Sequence, residues 1–356
     1  MAQKPPPAAE TASCQTTTNE AAVMERLLAG AWVAHIVQAT AELGLADHFT
    51  DEANDVASLA TATATHAPSL ARLLRALAAI GVVHEDDDRR YTLTRLGATL
   101  RSNQAGSMRA WARVRLREET DRPWQTLTQA VRTGENAFHR IFGSDIWTYR
   151  STHPDFSSLF NEAMQSLTQG VSAAIGREYP FGEFGWIVDI GGGNGSLLLP
   201  ILNRHSTMRG TIVELPHVAV QARERIAAAG LAARCDAVDG DALTTKVPLG
   251  ADAYVLKLVL HGKTDDEAVA ILNNCRAAMP AHGKLLIIER VLPEHIDPKD
   301  ARTQAGFISD INMMLIPGGR ERTEAEYRRL LIEAGLRFTR AVPTSSASTI
   351  VEAEPA

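Results

Sequence analysis

The chain has few cysteines, few aromatic residues, no excess of positive charge and no long apolar run. Its three cysteines, Cys14, Cys235 and Cys275, stand far apart with no Cys-x-x-Cys or His-Cys spacing, which argues against a disulfide framework and a zinc site. The expectation is a reduced, cytoplasmic protein without a metal. A net charge of −6 gives no general attraction to nucleic acid or to an anionic membrane. No stretch approaches the roughly 20 apolar residues of a membrane-spanning helix. Residues 1–18, rich in Pro, Ala and Thr, lack the apolar core of a signal peptide and read as a disordered tail.

What is present is material for two domains: 356 residues, 45% of them hydrophobic. Over residues 19–170 the pattern is helical, with Met24, Leu27, Leu28, Trp32, Ile36 and Val37 forming one stripe at three- and four-residue spacing. Two short helices follow, around Val56–Ala60 and from Pro68 to Gly81. A hairpin then pairs Val82-Val83-His84 with Tyr91-Thr92-Leu93, and the whole reads as a winged helix. Such a unit in a DNA-binding regulator meets phosphates with its second helix and wing. Here that helix offers only Arg72 and Arg75, and the wing tip is Glu85-Asp86-Asp87-Asp88, so a dimerisation role is the better reading.

Residues 171–356 alternate strand and helix, as a doubly wound α/β sheet requires. Strands are expected at Trp186–Ile190, Gly210–Glu214, Ala233–Asp239, Ala251–Leu256 and Lys284–Glu289. An antiparallel hairpin near Phe338–Pro343 and Ser348–Glu352 closes the sheet. The first strand runs into Asp189-Ile190-Gly191-Gly192-Gly193-Asn194-Gly195, a turn whose backbone can approach a ligand closely. The dinucleotide spacing Gly-x-Gly-x-x-Gly fails, because its last position falls on Ser196 or Leu198. The remaining pattern, Asp-x-Gly-x-Gly-x-Gly, resembles motif I of class I S-adenosylmethionine-dependent methyltransferases. That resemblance implies that Asp189, Gly191 and Gly193 hold and make room for the cofactor.

Later strand ends carry further chemistry. Glu214 is placed to accept hydrogen bonds from a ribose diol, and Asp241 to accept from an adenine amine, while Asp239 reads as structural. His261, at the end of the fourth strand, is placed to take a proton from a substrate nucleophile. Asp265-Asp266-Glu267 beside it read as helix initiation behind a Thr264 cap rather than as metal ligands.

Residues 256–261, 265–267, 271–280, 283–289 and 318–323 resemble small-molecule O-methyltransferases of the plant caffeate and bacterial polyketide types, and the resemblance spans about residues 22–354. It implies S-adenosyl-L-methionine as cofactor, a homodimer and a small hydroxylated acceptor, aromatic or polyketide-like. It implies His261 as general base flanked by Glu289 and Glu321, with Gly191, Glu214, Asp241, Ala242 and Lys257 at the cofactor. Phe160, Met164, Phe307, Asp310, Met313 and Met314 match family positions lining the acceptor pocket. One departure stands out: where the family usually has His-Asp-Trp, this chain has His261-Gly262-Lys263. That keeps open methylation of carbon or nitrogen, or another use of the cofactor. A regulator binding a small effector in a degenerate cofactor fold is the alternative outside enzymes.

Overall fold

The computed structural model describes residues 9–102, 104 and 106–356, with side chains from residue 20 onward. The expected tail over residues 1–18 lies outside the described side chains, and helix α1 runs Ala9–Glu42. The chain forms two compact units that divide after Leu116.

In the first unit, α1 is followed by α2 (Val56–Ala62), α3 (Ala67–Ala79), strands β1 (Val83–Glu85) and β2 (Tyr91–Leu93), α4 (Arg95–Ala98) and α5 (Arg109–Arg115). Asp55 caps α2 by accepting from the Ser58 N–H, and a proline sits in the first turn of α3, where its missing N–H costs nothing. Leu59, Leu70, Leu74, Leu77, Val83 and Tyr91 bury together. Helix, helix and antiparallel hairpin give the expected winged helix. The apolar stripe of α1 divides: Ile36 and Val37 pack on this core, whereas Met24, Leu27, Leu28 and Trp32 stand exposed.

The second unit opens with α6 (Glu118–Gln125), α7 (Leu127–Thr133), α8 (Ala137–Phe142), α9 (Ile146–Thr152) and α10 (Pro154–Glu178). Gly170, the division suggested by the sequence, lies inside α10. The sheet then alternates with helices: β3 (Trp186–Ile190), α11 (Leu198–Arg204), β4 (Arg209–Glu214), α12 (Pro216–Ala228), β5 (Cys235–Asp239), β6 (Ala253–Lys257), α13 (Asp265–Ala278) and β7 (Lys284–Glu289). After β8 (Val291–Leu292) come α14 (Ala301–Leu315), β9 (Arg322–Thr323), α15 (Glu324–Glu333), β10 (Leu336–Pro343) and β11 (Thr349–Pro355).

Seven strands pair in the order β10-β11-β7-β6-β3-β4-β5, parallel from β7 to β5, with β11 antiparallel to β7 and β10 to β11. Successive strand residues point to opposite faces, and helices cover both. Ile187, Ile212, Val255 and Ile288 bury in one layer, and Val188, Val213, Leu256 and Ile287 in the other. Strand order reverses between β3 and β6, so their carboxyl ends open the crevice where such sheets bind ligands.

Candidate active site

The loop after β3 is built by left-handed backbone. Gly191, Gly193 and Gly195 have φ of 68°, 58° and 80°. A side chain at Gly191 would place its Cβ 2.7 Å from Val259 Cγ2, so the turn passes hard against the end of β6 and only glycine fits. The loop folds over Asp189, whose two carboxylate oxygens are buried without a hydrogen-bond partner among the described residues. Burial pushes Asp189 up to about 7, opposed by Lys257 and reinforced by Glu214. Glu214, at the end of β4, accepts from the Gly193 N–H (3.0 Å) and the Leu215 N–H (2.8 Å). Burial still raises its pKa. Asp241 accepts from the Leu243 N–H (2.7 Å), and the Ala242 carbonyl accepts from Asn274, so the turn after β5 is fixed from both sides. Asp239 pairs with Arg223 at the surface.

Two donors absent from the sequence reading sit nearby. Arg150 is 6% exposed, and its guanidinium lies over the Phe160 ring (4.4 Å) and bonds Asn161. Its Nε and the Asn161 Nδ2 are buried without a hydrogen-bond partner among the described residues. Burial drops the guanidinium to about 10, with Glu214 opposing. Only a fold that brings α9 and α10 to the carboxyl end of β4 gives these residues meaning, so no local signal marked them.

At the neighbouring strand end, Leu258 takes a φ of 56° and turns the chain sharply out of β6. Three successive N–H groups then converge on Glu289 Oε1, those of Val259 and Leu260 at 2.9 Å and of His261 at 3.4 Å. Glu289 is fully buried, and its Oε2 lies 3.7 Å from His261 Nδ1. Glu321 Oε1 approaches the same nitrogen at 3.3 Å and also accepts from Ser309 Oγ at 2.6 Å. The Glu321 N–H donates to Asp310 Oδ1 (2.8 Å), so α14 orients this acid. The imidazole and two carboxylates are the one grouping of metal-capable donors among the described residues, within 4.8 Å of one another.

The two acids titrate apart. Burial raises Glu289 against the pull of His261, whereas His261 and Ser309 outweigh burial at Glu321 and lower it. For His261, burial lowers the pKa, but Glu289 and Glu321 outweigh it and raise it. His261 Nε2 has no partner among the described residues. Lys257 is pulled down by burial and held up by Asp189 and then Glu289.

The turn carrying His261 is clamped by Arg322, a fully buried residue that donates to the Leu260 and Lys263 carbonyls (2.7 and 2.8 Å) and to Asp265. A Cβ at Gly319 would lie 2.1 Å from the His261 carbonyl oxygen, so this loop crosses the turn only as glycine. Thr264 and Glu267 form the expected capping box, as do Thr323 and Glu326. Phe160 and Met164 share a face of α10, and Phe307, Asp310, Met313 and Met314 lie along α14. All six are half-buried, and Phe160 and Met314 pack against the core built on Phe138, Phe156 and Leu315.

Sheet order and the acid-and-glycine loop put the chain among the class I methyltransferases. It belongs to the O-methyltransferase family, whose catalytic-domain profile matches residues 124–337 and whose dimerisation-domain profile matches residues 25–103. Phenazine O-methyltransferase PhzM of Lysobacter antibioticus is 40% identical over 333 residues, covering 94% of this chain and 96% of that protein. The structure of mitomycin 7-O-methyltransferase MmcR superposes with a TM-score of 0.85 at 34% identity, over 98% of this chain and 100% of that one. NcsB1, an O-methyltransferase of neocarzinostatin biosynthesis solved with S-adenosylmethionine and 2-hydroxy-5-methyl naphthoic acid, superposes with a TM-score of 0.76 at 33% identity, over 91% and 96%. The chain is an S-adenosylmethionine-dependent O-methyltransferase of the bacterial secondary-metabolite type. Among the described residues no helix is long and apolar enough to cross a membrane.

Proposed function

We propose that the enzyme methylates a hydroxyl of a small planar aromatic or polyketide-like metabolite, with His261 as general base, and that it works as a homodimer. The observation that carries this reading is the imidazole whose Nδ1 faces two buried carboxylates while Nε2 has no partner among the described residues. Carboxylates on Nδ1 orient the ring and stabilise the imidazolium that forms when Nε2 takes the acceptor's proton.

The residues at the crevice fit the cofactor. Asp189 has two buried orphan oxygens for its amino-acid end, and Arg150 and Asn161 bring unpartnered donors for a carboxylate. Glu214 and Gly193 suit the ribose, and Asp241 and Ala242 the adenine, with Gly191 keeping the loop close and Lys257 balancing Asp189. When bound, S-adenosylmethionine supplies a methyl group on a sulfonium, which needs no acid to leave. The protein's task is then to hold the acceptor oxygen in line and to remove its proton. Phe160, Met164, Phe307, Met313 and Met314 provide flat and adaptable apolar contacts for a ring system, with Asp310 holding Glu321.

The test is incubation with methyl-labelled cofactor and a panel of phenols, carboxylates, amines and enolisable ketones, reading which atom gains the label. Label on a phenolic oxygen supports the reading, whereas label on carbon or nitrogen overturns it. His261→Ala is expected to lower turnover by about 10² to 10⁴ at saturating acceptor. A loss under tenfold removes the base.

A further inference from the structure

Three residues that the proposed chemistry leaves unused lie together beside His261. Trp147 of α9 is half-buried and packs against the same buried cluster as Phe160 and Met314, two of the side chains proposed to meet the acceptor. Gly262 faces it: a Cβ there would stand 3.4 Å from Trp147 Cζ2, so any larger side chain would press on the indole. Lys263 places its ammonium 5.7 Å from the centre of the same ring. The Lys263 backbone is fixed, its N–H on the Leu260 carbonyl and its carbonyl on Arg322. Lys263 is half-buried as a residue, and its ammonium has no carboxylate partner among the described residues.

We propose that Trp147 and Lys263 select an anionic acceptor: a planar aromatic hydroxy acid whose ring lies along the indole and whose carboxylate meets the Lys263 ammonium. This rests on the reading of the site as one for hydroxylated aromatics and narrows its substrate class. Lys263 has no counter-ion of its own among the described residues, and a ligand carboxylate supplies a charge-assisted hydrogen-bond partner that the protein does not. A neutral acceptor filling the same space would strip water from Lys263 and return nothing, so the arrangement discriminates against esters and amides as well as favouring acids. Gly262 matters because it lets the indole stay close to this edge.

The experiment uses the full-length enzyme loaded with S-adenosylhomocysteine and titrates two probes, 1-hydroxy-2-naphthoic acid and its methyl ester, by calorimetry and by quenching of tryptophan fluorescence. Methyl transfer to the same pair is followed with labelled cofactor. The expected result is an acid bound at least tenfold more tightly than the ester, with that ratio falling below threefold in Lys263→Met and persisting in Lys263→Arg. An ester bound as tightly as the acid, neither probe bound, or a preference that survives Lys263→Met overturns the proposal. Failure here is separable from failure of the broader reading. Equal methylation of acid and ester hydroxyls leaves the O-methyltransferase site intact and removes only the acid preference, whereas label on carbon removes the former and leaves the binding ratio readable.

Discussion

If His261 is the base, as proposed, its surroundings fix the pH at which it can work. Burial alone would lower the imidazole pKa, but Glu289 and Glu321 outweigh it, so the proton stays on above the ordinary value of 6.5. A base acts only when unprotonated. The value of kcat/KM should therefore climb with pH through an apparent pKa above 6.5, since this ratio reports the free enzyme. Glu321→Gln removes one of the charges that hold the proton on, and should shift that limb to lower pH while reducing the maximum. A limb at or below 6.5 in the unaltered enzyme would count against the two-carboxylate account. Leu258 is the second residue at this scale. Its left-handed conformation aims three N–H groups at Glu289, a strain a branched side chain tolerates worst. Leu258→Val should lose about 1–3 kcal/mol relative to Leu258→Gly in urea denaturation, and the Gly variant should keep more activity. Equal stability of the two would mean the turn is not strained.

At the scale of elements, the turn between β6 and α13 stays in place because β9 sends Arg322 beneath it. Two carbonyls and Asp265 depend on that guanidinium. Arg322→Met should cost about 1–3 kcal/mol, the range for leaving a buried carbonyl without its donor, and lower kcat more than it raises KM, because the turn carrying His261 moves while the proposed acceptor walls remain. A loss under about 1 kcal/mol would show that the turn holds itself. Much of this architecture could be read beforehand. The central strands are continuous apolar runs buried on both faces, so β3 and β7 fall where the pattern put them, and the capping boxes at Thr264 and Thr323 are signals contained within four residues. Strand ends then carried Asp189, Glu214, His261 and Glu289 into one crevice by topology alone. What escaped were residues whose partners lie on other elements. Arg150 meets Asn161 and the Glu214 field, Ser309 donates to Glu321, and Arg322 holds Leu260 from 62 positions away, while Asp310, read from the sequence as acceptor lining, accepts the Glu321 N–H. A positive φ at Leu258 leaves no mark on composition or periodicity.

For the whole molecule, the first unit has an unanswered surface. Leu27, Leu28 and Trp32 of α1 are 69%, 72% and 74% exposed, and Met24 is 56%. They recur at three- and four-residue spacing, so they form one continuous apolar band rather than scattered surface residues, and such bands mark interaction sites. The matching family profile for residues 25–103 is a dimerisation domain, and the band begins where that profile does. Two copies burying these bands against each other would remove from water the area that the winged-helix core leaves uncovered, with each buried large side chain contributing about 1.5–3 kcal/mol. The double substitution Leu28→Glu and Trp32→Glu places two like charges in that contact from each copy, while Ile36 and Val37, which pack on the unit's own core, are untouched. Sedimentation velocity should show the unaltered chain at twice its monomer mass and the variant at the monomer mass, with the unfolding midpoint of the second unit unchanged. A variant that still sediments as a dimer would move the interface off α1, and an unaltered chain that sediments as a monomer would remove the homodimer itself.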